Sequence, residues 1–442
     1  MAQPRWSNRI AFVITTTAFA IGLGNIWRFP YVAGEGGGGA FLLVYILLIA
    51  LVGIPIFLTE ISLGRMAGSG PLTGFGKLGG RKEWNLIGWV GVSGTILVMS
   101  YYVMILAWIL IYFWSCITKH LTSLPEGDLP SYFDQVVSNQ PLVLLVIALI
   151  MAGAVYITRH DLQKGLERHS RWMLFSLLVL IVALAIWSFT LEGAAEAYRW
   201  YLRPDFDRIN SQVILSALGQ MFFSVGVAMV VVFAFGSYTS PQENLVQTTI
   251  WVVIADTAIA ILAGFMIFPA LFTFGLDPDS GSNLIFITMA HVFQDIPYGE
   301  WVGAAFFVLL FLGGFTSLIT SIQGAEYGLT DRFGWSKDKS LVIISLTIFI
   351  LAIPVCFSYV ENPIQIFGRH FFSFFDLITN SIMLPLGGLL IVLFGAYVVG
   401  AKRLSDHVSS GSESAGFLRW WRFLIKVIAP IAMVAILLNS LL

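Results

Sequence analysis

Four ionisable side chains lie within long runs of apolar residues, where they could do chemistry. They are Arg28, Glu60, Asp256 and Asp376. A charge at the centre of a membrane-spanning helix costs about 2.5 to 3.5 kcal/mol, so such a residue is a functional hypothesis unless its side chain reaches the membrane surface. Asp256 stands near the middle of its run, and its side chain is too short to reach either surface. It is therefore predicted to coordinate or neutralise a charge.

Two of the apolar runs are interrupted by glycine. The first contains AFAIGLGNIWRF, with Gly22 and Gly24, and the sixth contains GQMFFSVGVAM, in which Gly219 and Gly226 flank Ser224. Glycine inside a helix costs about 1 kcal/mol relative to alanine, and backbone groups freed at membrane depth are tolerated only where they line a cavity. Either pair alone could serve helix packing. Interruptions at corresponding positions of two five-helix halves instead indicate the binding site of a transporter.

The composition places the chain in a lipid bilayer. Of its 442 residues, 57% are hydrophobic and 11% charged, which excludes a soluble globular protein of ordinary composition. The net charge is -1 and the basic residues are scattered, so no nucleic acid is expected as a partner. Cys116 and Cys356 stand in apolar runs without metal-ligand or CxxC spacing, and they are predicted to be buried thiols.

Eleven apolar runs are long enough to cross about 30 Å of hydrocarbon. They cover residues 9–33, 39–64, 86–117, 141–158, 166–190, 210–238, 244–274, 300–330, 340–357, 373–398 and 418–441. These runs are continuous, which excludes the short alternating segments of a membrane β-barrel. No cleavable signal is expected, because the first run is too long and too rich in glycine.

The basic residues orient these spans, since cytoplasmic loops are enriched in lysine and arginine. With the N-terminus inside, the outer side holds only Lys119, Arg199, Arg203, Arg208 and Arg369, and every other basic residue except Arg28 lies on the cytoplasmic side. The protein is predicted to span the cell (inner) membrane with a cytoplasmic N-terminus and an extracytoplasmic C-terminus. The polar segments 191–209 and 275–299 then face outward, as lids or as plain connections.

The motif GLGNIWRFPY, followed by GGGAF and later by GQMFFS and GGFTSLITSIQ, resembles the neurotransmitter:sodium symporter family. The resemblance runs from Trp6 to the tenth span. It implies the LeuT fold: an all-α polytopic membrane protein with a 5+5 inverted repeat, broken helices one and six, and an eleventh helix. The chain would form one transmembrane domain, divided into a first repeat at 1–190, a second repeat at 191–398, and a cytoplasmic loop with the eleventh helix at 399–442.

This resemblance implies a sodium-coupled secondary active symporter that imports L-amino acids by alternating access. The substrate carboxylate would meet the N–H groups of Leu23 and Gly24 and the hydroxyl of Tyr102. The amino group would meet carbonyls of Ala20, Phe223, Ser224 and Gly226. The family's monoamine carriers place an aspartate where this chain has Gly22, so the substrate here is expected to bring its own carboxylate.

The remaining pocket candidates favour a hydrophobic or aromatic amino acid, because most of them are apolar or adaptable. They are Val98, Phe223, Met229, Ser317 and Ser321. A small osmolyte-like or non-proteinogenic amino acid remains an alternative substrate. A second alternative is an amino-acid sensor of the same fold that does not transport.

Two sodium sites follow from the resemblance, and no organic cofactor is expected. Sodium prefers hard oxygen ligands. The first site would use Ala20, Asn25, Ser224 and Asp256, together with the substrate carboxylate. The second would use Ala18, Ile21, Gly313, Thr316 and Ser317. The two hydroxyls of the second site could instead bond back to the preceding helical turn.

The family's chloride site differs in this chain. Asp256 replaces the asparagine of chloride-dependent relatives, and Ala260 replaces a serine, whereas Tyr45, Gln220 and Ser224 match. A fixed carboxylate in place of the anion predicts chloride-independent transport. Whether Asp256 also carries a proton on the return step is left open.

Two gates are implied by the resemblance. On the outer side Arg28 and Asp376 would face each other through water, above an inner lid of Phe223 and Tyr102. Glu60 would have a structural role, accepting hydrogen bonds from both broken helices.

The cytoplasmic gate departs from the family pattern. It would use Trp6, Tyr238 and Asp331, but the position of the usual arginine is Gln3, so either Arg5 or Arg9 could substitute. Enzyme activity is not expected, since neither HExxH nor GxSxG occurs. The expected partners are the amino acid, sodium ions and the lipid bilayer, and the protein is predicted to be a monomer or a weak homodimer.

Overall fold

The computed structural model describes residues 5–125, 127–279, 281–360, 363–409 and 415–441, and almost all of them are helical. Within these residues, nine helices are long and apolar enough to cross a membrane. They are Gly39–Ala67, Lys82–Ile117, Gln140–Thr158, Gln163–Ser188, Leu245–Thr273, Gly299–Phe333, Lys337–Tyr359, Phe371–Val408 and Ala415–Asn439, and they correspond to the predicted spans two to five and seven to eleven.

Span one is a bent pair of helices, as predicted. Its halves are Arg9–Ala20 and Gly24–Glu35, and they meet at an angle of 48°. Asn8 caps the first half by accepting a hydrogen bond from the backbone of Ala11 at 2.8 Å. Ile21 then leaves the helix with an extended backbone. The second half starts with a π-helical turn, a form that often marks functional sites.

Span six is also divided, into Ser211–Val225 and Val231–Ser237. The break begins at Gly226, the second glycine of the predicted pair, whereas Gly219 remains helical. Gly226, Ala228 and Val230 have φ angles of 65°, 69° and 56°. Positive φ is costly for residues with a Cβ, above all for a β-branched valine, so the surroundings must hold this backbone in place.

Shorter elements connect the spans. Outside the membrane-length helices the structure has helices Pro71–Gly79, Leu129–Ser138, Ala194–Leu202 and Thr288–Asp295, with single turns at Leu121–Ser123, Phe206–Arg208 and Gly281–Leu284. Strands Gln365–Ile366 and Arg369–His370 form an antiparallel hairpin, in which Gln365 pairs with His370. The two segments predicted to face outward, 191–209 and 275–299, therefore contain helices of their own.

The broken helices pack closely against their neighbours. Spans two and six meet backbone to backbone, because a Cβ at Gly64 would overlap the Phe233 carbonyl and one at Gly236 would overlap the Ile61 carbonyl. Small residues permit such contacts in membrane helices. Spans three and eight also pack together along their length. The interrupted segments are thus held among long helices that can position their freed backbone groups.

Candidate functional site

The two interruptions face one small cavity of about 30 Å³. Eleven of the twelve predicted substrate-binding residues line it, Leu23 being the exception. They are Ala20, Gly22, Gly24, Val98, Tyr102, Phe223, Ser224, Gly226, Met229, Ser317 and Ser321. Phe19, Met99 and Leu384 line it as well. These three could not be predicted from the sequence, because an apolar residue in a span resembles any other core residue.

At the break of span one, side chains replace the missing helical hydrogen bonds. The backbone N–H of Gly22 donates to Asn25 Oδ1 at 3.1 Å, whereas an intact helix would pair it with the carbonyl of Ala18. The N–H of Leu23 donates to the hydroxyl of Tyr102 at 3.2 Å. The Ala18 carbonyl is thereby free of its helical partner, which makes it a possible oxygen ligand.

A side chain of span eight donates a hydrogen bond to a backbone carbonyl group at the same break. The Ser317 hydroxyl donates to the carbonyl of Phe19 at 3.0 Å. Ser317 also borders the space above Gly22, where an added Cβ would lie 2.5 Å from its hydroxyl oxygen and 3.0 Å from that of Tyr102. Because residue 22 has no side chain to fill this space, the space is available to a ligand group that can form hydrogen bonds with both hydroxyls.

Asn25, Ser224 and Asp256 form a buried polar cluster that joins spans one, six and seven. The amide nitrogen of Asn25 donates to Asp256 Oδ1 at 2.7 Å and to its backbone carbonyl at 2.9 Å. The Ser224 hydroxyl donates to Asp256 Oδ2 at 2.9 Å. In the described part of the chain no basic nitrogen lies within 4.0 Å of this carboxylate. A buried carboxylate with only neutral donors around it favours the binding of a cation.

The predicted second sodium site also lies at the break of span one. A Cβ on Gly313 would be 3.7 Å from the Cα of Gly22, so spans one and eight touch here. The Thr316 hydroxyl donates to the carbonyl of Leu312 at 2.6 Å, the back-bonding that the sequence left open. Its oxygen keeps lone pairs for a cation, because a hydroxyl has two acceptor sites besides its proton. The Ser317 hydroxyl reaches the broken helix through its bond to the Phe19 carbonyl, whereas the Thr316 hydroxyl also lies 3.7 Å from the Met173 sulfur of span five.

Glu60 organises the break of span six. Its carboxylate accepts from the backbone N–H of Ala228 at 2.8 Å and from that of Phe233 at 3.4 Å. Both bonds go to span six, so among the described residues Glu60 does not link the two broken helices as predicted. Thr95 of span three adds a bond to the carbonyl of Met229 at 2.7 Å, which sequence reasoning missed. These bonds hold the left-handed backbone described above.

The predicted outer gate residues line a second cavity of about 280 Å³, with Phe223 between it and the first. Arg28 donates to Gln220 Oε1 at 2.9 Å, and its guanidinium lies 5.2 Å from the centre of the Phe223 ring. Asp376 accepts from the side chain of Asn380 at 2.6 Å. Arg28 and Asp376 form no ion pair within 4.0 Å. They face the same cavity without direct contact, the arrangement expected if water lies between them.

On the predicted cytoplasmic side, aromatic residues close the path. The indole of Trp6 donates to the carbonyl of Phe235 at 3.2 Å and packs against Tyr238, with ring centres 5.9 Å apart. Asp331 accepts from the backbone of Gly70 at 3.0 Å. Tyr238 and Asp331 line one cavity of about 830 Å³.

Neither candidate arginine of the cytoplasmic gate forms an ion pair with Asp331. Arg5 lines the same cavity but forms no ion pair with Asp331 within 4.0 Å. Arg9 instead pairs with Glu243 at 3.1 Å. Gln3 lies outside the described residues.

The N-terminal segment is fastened to span five by an interaction that the sequence did not indicate. Ser7 donates to Glu167 through its backbone N–H at 3.0 Å and through its hydroxyl at 2.5 Å. Glu167 is buried, although it stands in the strongly polar sequence QKGLERHSR. The composition of this segment predicts a solvated helix end. The partner of Glu167 could therefore be identified only from the fold.

Known proteins are similar in sequence to almost the whole of this chain. A profile of the sodium:neurotransmitter symporter family matches residues 3–125 and 134–442. The uncharacterized sodium-dependent transporter YhdH of Bacillus subtilis is 34% identical over 98% of this chain and 97% of its own length. The sodium- and chloride-dependent GABA transporter 2 of Homo sapiens is 26% identical over 97% of this chain and 79% of its own.

A solved structure is similar throughout. The crystal structure of MhsT in complex with L-phenylalanine matches with a TM-score of 0.91 and 36% sequence identity, and the match covers 99% of this chain and 100% of that one. At this TM-score and coverage the two chains share one overall fold.

Proposed function

The chain belongs to the sodium:neurotransmitter symporter family, and we propose that it imports hydrophobic or aromatic L-amino acids by sodium symport. The family and the LeuT fold, both predicted from the GLGNIWRFPY motif, are confirmed. The protein is a sodium-dependent membrane transporter with multiple spans. The identity of the substrate, the sodium sites and the independence from chloride are the substance of the proposal.

The space above Gly22 is the observation that carries the amino-acid assignment. It is bordered by the hydroxyls of Ser317 and Tyr102, and it lies at the N-terminal end of the half-helix that begins at Gly24. Backbone N–H groups at a helix start and the positive end of the helix dipole favour an anionic group there. A substrate carboxylate fits this position, whereas an aspartate at residue 22 would compete with it.

The rest of the cavity supports an apolar side chain on the substrate. Phe19, Val98, Met99, Met229 and Leu384 line it. Methionine adapts to different shapes, so two of them allow a range of hydrophobic substrates. MhsT, whose crystal structure contains L-phenylalanine, supports an aromatic substrate by similarity.

Ser321 contributes a polar hydroxyl group to this mainly apolar pocket. Its hydroxyl is buried and lacks a hydrogen-bond partner among the described residues. It could accept the indole N–H of tryptophan or pair with the hydroxyl of tyrosine, which favours aromatic substrates that carry a polar tip.

Two sodium ions would couple to this substrate. The first would bind Asp256, Ser224, the Ala20 carbonyl and the oxygen of Asn25, whose amide would turn to present it, with the substrate carboxylate as a further ligand. The second would bind the hydroxyls of span eight and the carbonyls of Ala18, Ile21 and Gly313. Each ion contributes about 2.3 kcal/mol per 100 mV of membrane potential, so two ions could support about thousandfold accumulation of a neutral substrate.

Asp256 and Ala260 support transport without chloride. The carboxylate supplies a fixed negative charge beside the first sodium site, and Ala260 lacks the hydroxyl that an anion would need. The Bacillus relative is named sodium-dependent, whereas the human relative is named sodium- and chloride-dependent. The names agree with the proposed difference.

Transport would proceed by alternating access in the cell membrane, with the N-terminus cytoplasmic. The bundle of spans one, two, six and seven would move against the others and expose the substrate first outside and then inside. Opening to the outside would require the helices that carry Arg28 and Asp376 to separate. Opening to the inside would require Trp6 to break its hydrogen bond to the Phe235 carbonyl. The halves 1–190 and 191–398 would form the two repeats.

Thermal stability of the purified protein tests this proposal. The melting temperature is measured with each of the twenty amino acids, in sodium chloride, in potassium chloride and in sodium gluconate. Binding to the folded state raises the melting temperature by mass action. We expect a shift for a few hydrophobic or aromatic amino acids in both sodium salts and none in potassium.

Other outcomes would redirect the assignment. The absence of any sodium-dependent shift would refute the proteinogenic substrate and favour a small non-proteinogenic or osmolyte-like amino acid. A shift that needs chloride would refute the role of Asp256 as a substitute for the anion. Uptake into proteoliposomes distinguishes a transporter from a sensor, because a sensor would bind the same amino acid without accumulating it.

A further inference from the structure

A groove on the membrane-facing surface lies between spans four and nine. It measures about 490 Å³ and is lined mainly by apolar residues. On span four they run from Ala148 to Arg159, and on span nine from Val342 to Phe349. Tyr156 and Leu346 on its walls are 62% and 54% exposed, so the groove opens to the surrounding lipid rather than to another part of the protein.

Two polar groups of the groove lack partners. Ser345 is only 7% exposed, and its hydroxyl has no hydrogen-bond partner in the described part of the chain. A buried hydroxyl without a partner is unfavourable, so a ligand that bonds to it would relieve this cost. At the end of the groove, Arg159 is exposed and its guanidinium forms no ion pair with any described residue.

The length of the groove corresponds to one leaflet. Ala148 and Arg159 are eleven residues apart on one helix, a rise of about 16 Å, and the hydrocarbon core of a membrane is about 30 Å thick. Tyr156, one turn before Arg159, is the residue type that gathers at the membrane–water interface. Arg159 therefore lies at headgroup level, and Ala148 lies near the centre of the bilayer.

The walls of the groove are fixed, and its polar end is basic. The Lys337 ammonium group donates to the carbonyl of His160 at 2.5 Å and so fastens span nine to span four beside Arg159. The flanking segments 159–171 and 332–339 contain seven lysines and arginines and three acidic residues. A basic cluster next to a membrane attracts anionic lipids.

We propose that this groove binds one anionic glycerophospholipid of the cytoplasmic leaflet. An acyl chain would lie along the apolar walls, the Ser345 hydroxyl would donate to an ester carbonyl, and the Arg159 guanidinium would bind the phosphate. The lipid would brace two helices outside the moving bundle. This site is separate from the substrate cavity, so it stands or falls independently of the proposed substrate.

Native mass spectrometry of the full-length protein in detergent tests the proposal. The probes are phosphatidylglycerol and phosphatidylcholine with the same palmitoyl and oleoyl chains. We expect phosphatidylglycerol to be retained about fivefold more, the factor that corresponds to one arginine at an anionic membrane surface. Arg159→Gln should remove this preference, whereas Arg403→Gln, which changes an exposed arginine of span ten, should retain it.

Two further variants test the walls and the hydroxyl. Ala152 is an exposed residue of the groove, so Ala152→Phe should fill it without disturbing the core and should lower the retention of both lipids. Ser345→Ala should lower the retention of diester phosphatidylglycerol but not that of its diether analogue, which has no carbonyl. Equal retention of both lipids by the wild type would overturn the proposal. So would unchanged phosphatidylglycerol retention in Arg159→Gln and Ala152→Phe, or an Ala152→Phe effect seen only as loss of a dimer, which would assign the groove to a second copy.

Discussion

Replacing Gly22 by alanine should remove substrate binding while leaving the fold intact. The new Cβ would lie 2.5 Å from the Ser317 hydroxyl oxygen and 3.0 Å from the Tyr102 hydroxyl oxygen, in the space proposed for the substrate carboxylate. Gly22 is not among the residues with positive φ, so alanine can adopt its backbone conformation. The effect is therefore expected from the side chain alone.

The magnitude follows from overpacking. Ser317 must turn away from the added methyl group and give up its 3.0 Å bond to the Phe19 carbonyl, and the carboxylate loses its space between the two hydroxyls. Inserting one methyl group into a packed site costs about 1 to 3 kcal/mol. If this cost falls on the bound state, the Kd for the amino acid rises roughly 5- to 150-fold.

The assay is equilibrium binding of the amino acid that gives the largest sodium-dependent thermal shift. Gly153→Ala is the matched control, since the added Cβ there would make only an ordinary contact, 3.6 Å from Phe315. Both variants add one methyl group, but only Gly22→Ala should lose affinity. An unchanged Kd in Gly22→Ala would refute the placement of the carboxylate above residue 22.

Three further predictions follow from the polar contacts. Asp256→Asn combined with Ala260→Ser removes the fixed charge beside the proposed first sodium site and supplies the hydroxyl that an anion needs, so uptake should become dependent on chloride and fall in gluconate, while wild-type uptake is equal in both salts. Glu60→Gln replaces one acceptor of the Ala228 and Phe233 N–H groups by a donor, so the melting temperature in detergent should fall by an amount equivalent to about 1 to 3 kcal/mol; an unchanged melting temperature would contradict its structural role. Glu167→Ala removes both acceptors of Ser7, so amide hydrogen exchange in residues 7–20 should accelerate, and an unchanged exchange rate would show that Trp6 alone holds the segment.

The sequence predicted the helices and the general position of the site because both depend on local patterns. Apolar runs of membrane length identify spans directly, and an intramembrane Asp256 has few roles other than binding charge. The glycines of GLGN also mark a real break, since a helix loses little when it opens where its residues are poor helix formers. The family motif then assigned the remaining residues.

The details of the breaks could not be predicted, because they depend on contacts between distant parts of the chain. Ala228 and Val230 adopt left-handed backbone that neither residue favours, and they do so because Glu60 and Thr95 hold the neighbouring N–H and carbonyl groups. Nothing local distinguishes Val230 from other valines of its span. The burial of Glu167 against Ser7, 160 positions away, likewise follows only from the tertiary fold.

The contacts at the break of span one also explain why sodium and the amino acid should bind cooperatively. Asn25 accepts from the Gly22 N–H and donates to Asp256, so one side chain connects the proposed substrate space to the proposed first sodium site. Whichever ligand binds first must order this segment, and the second then binds to a segment that is already ordered. Linkage requires the effect to be reciprocal: if sodium raises the affinity for the amino acid about tenfold, the amino acid must raise the affinity for sodium by the same factor. Asn25→Ala should reduce this common factor towards one, and an unchanged factor would contradict a connection through this residue.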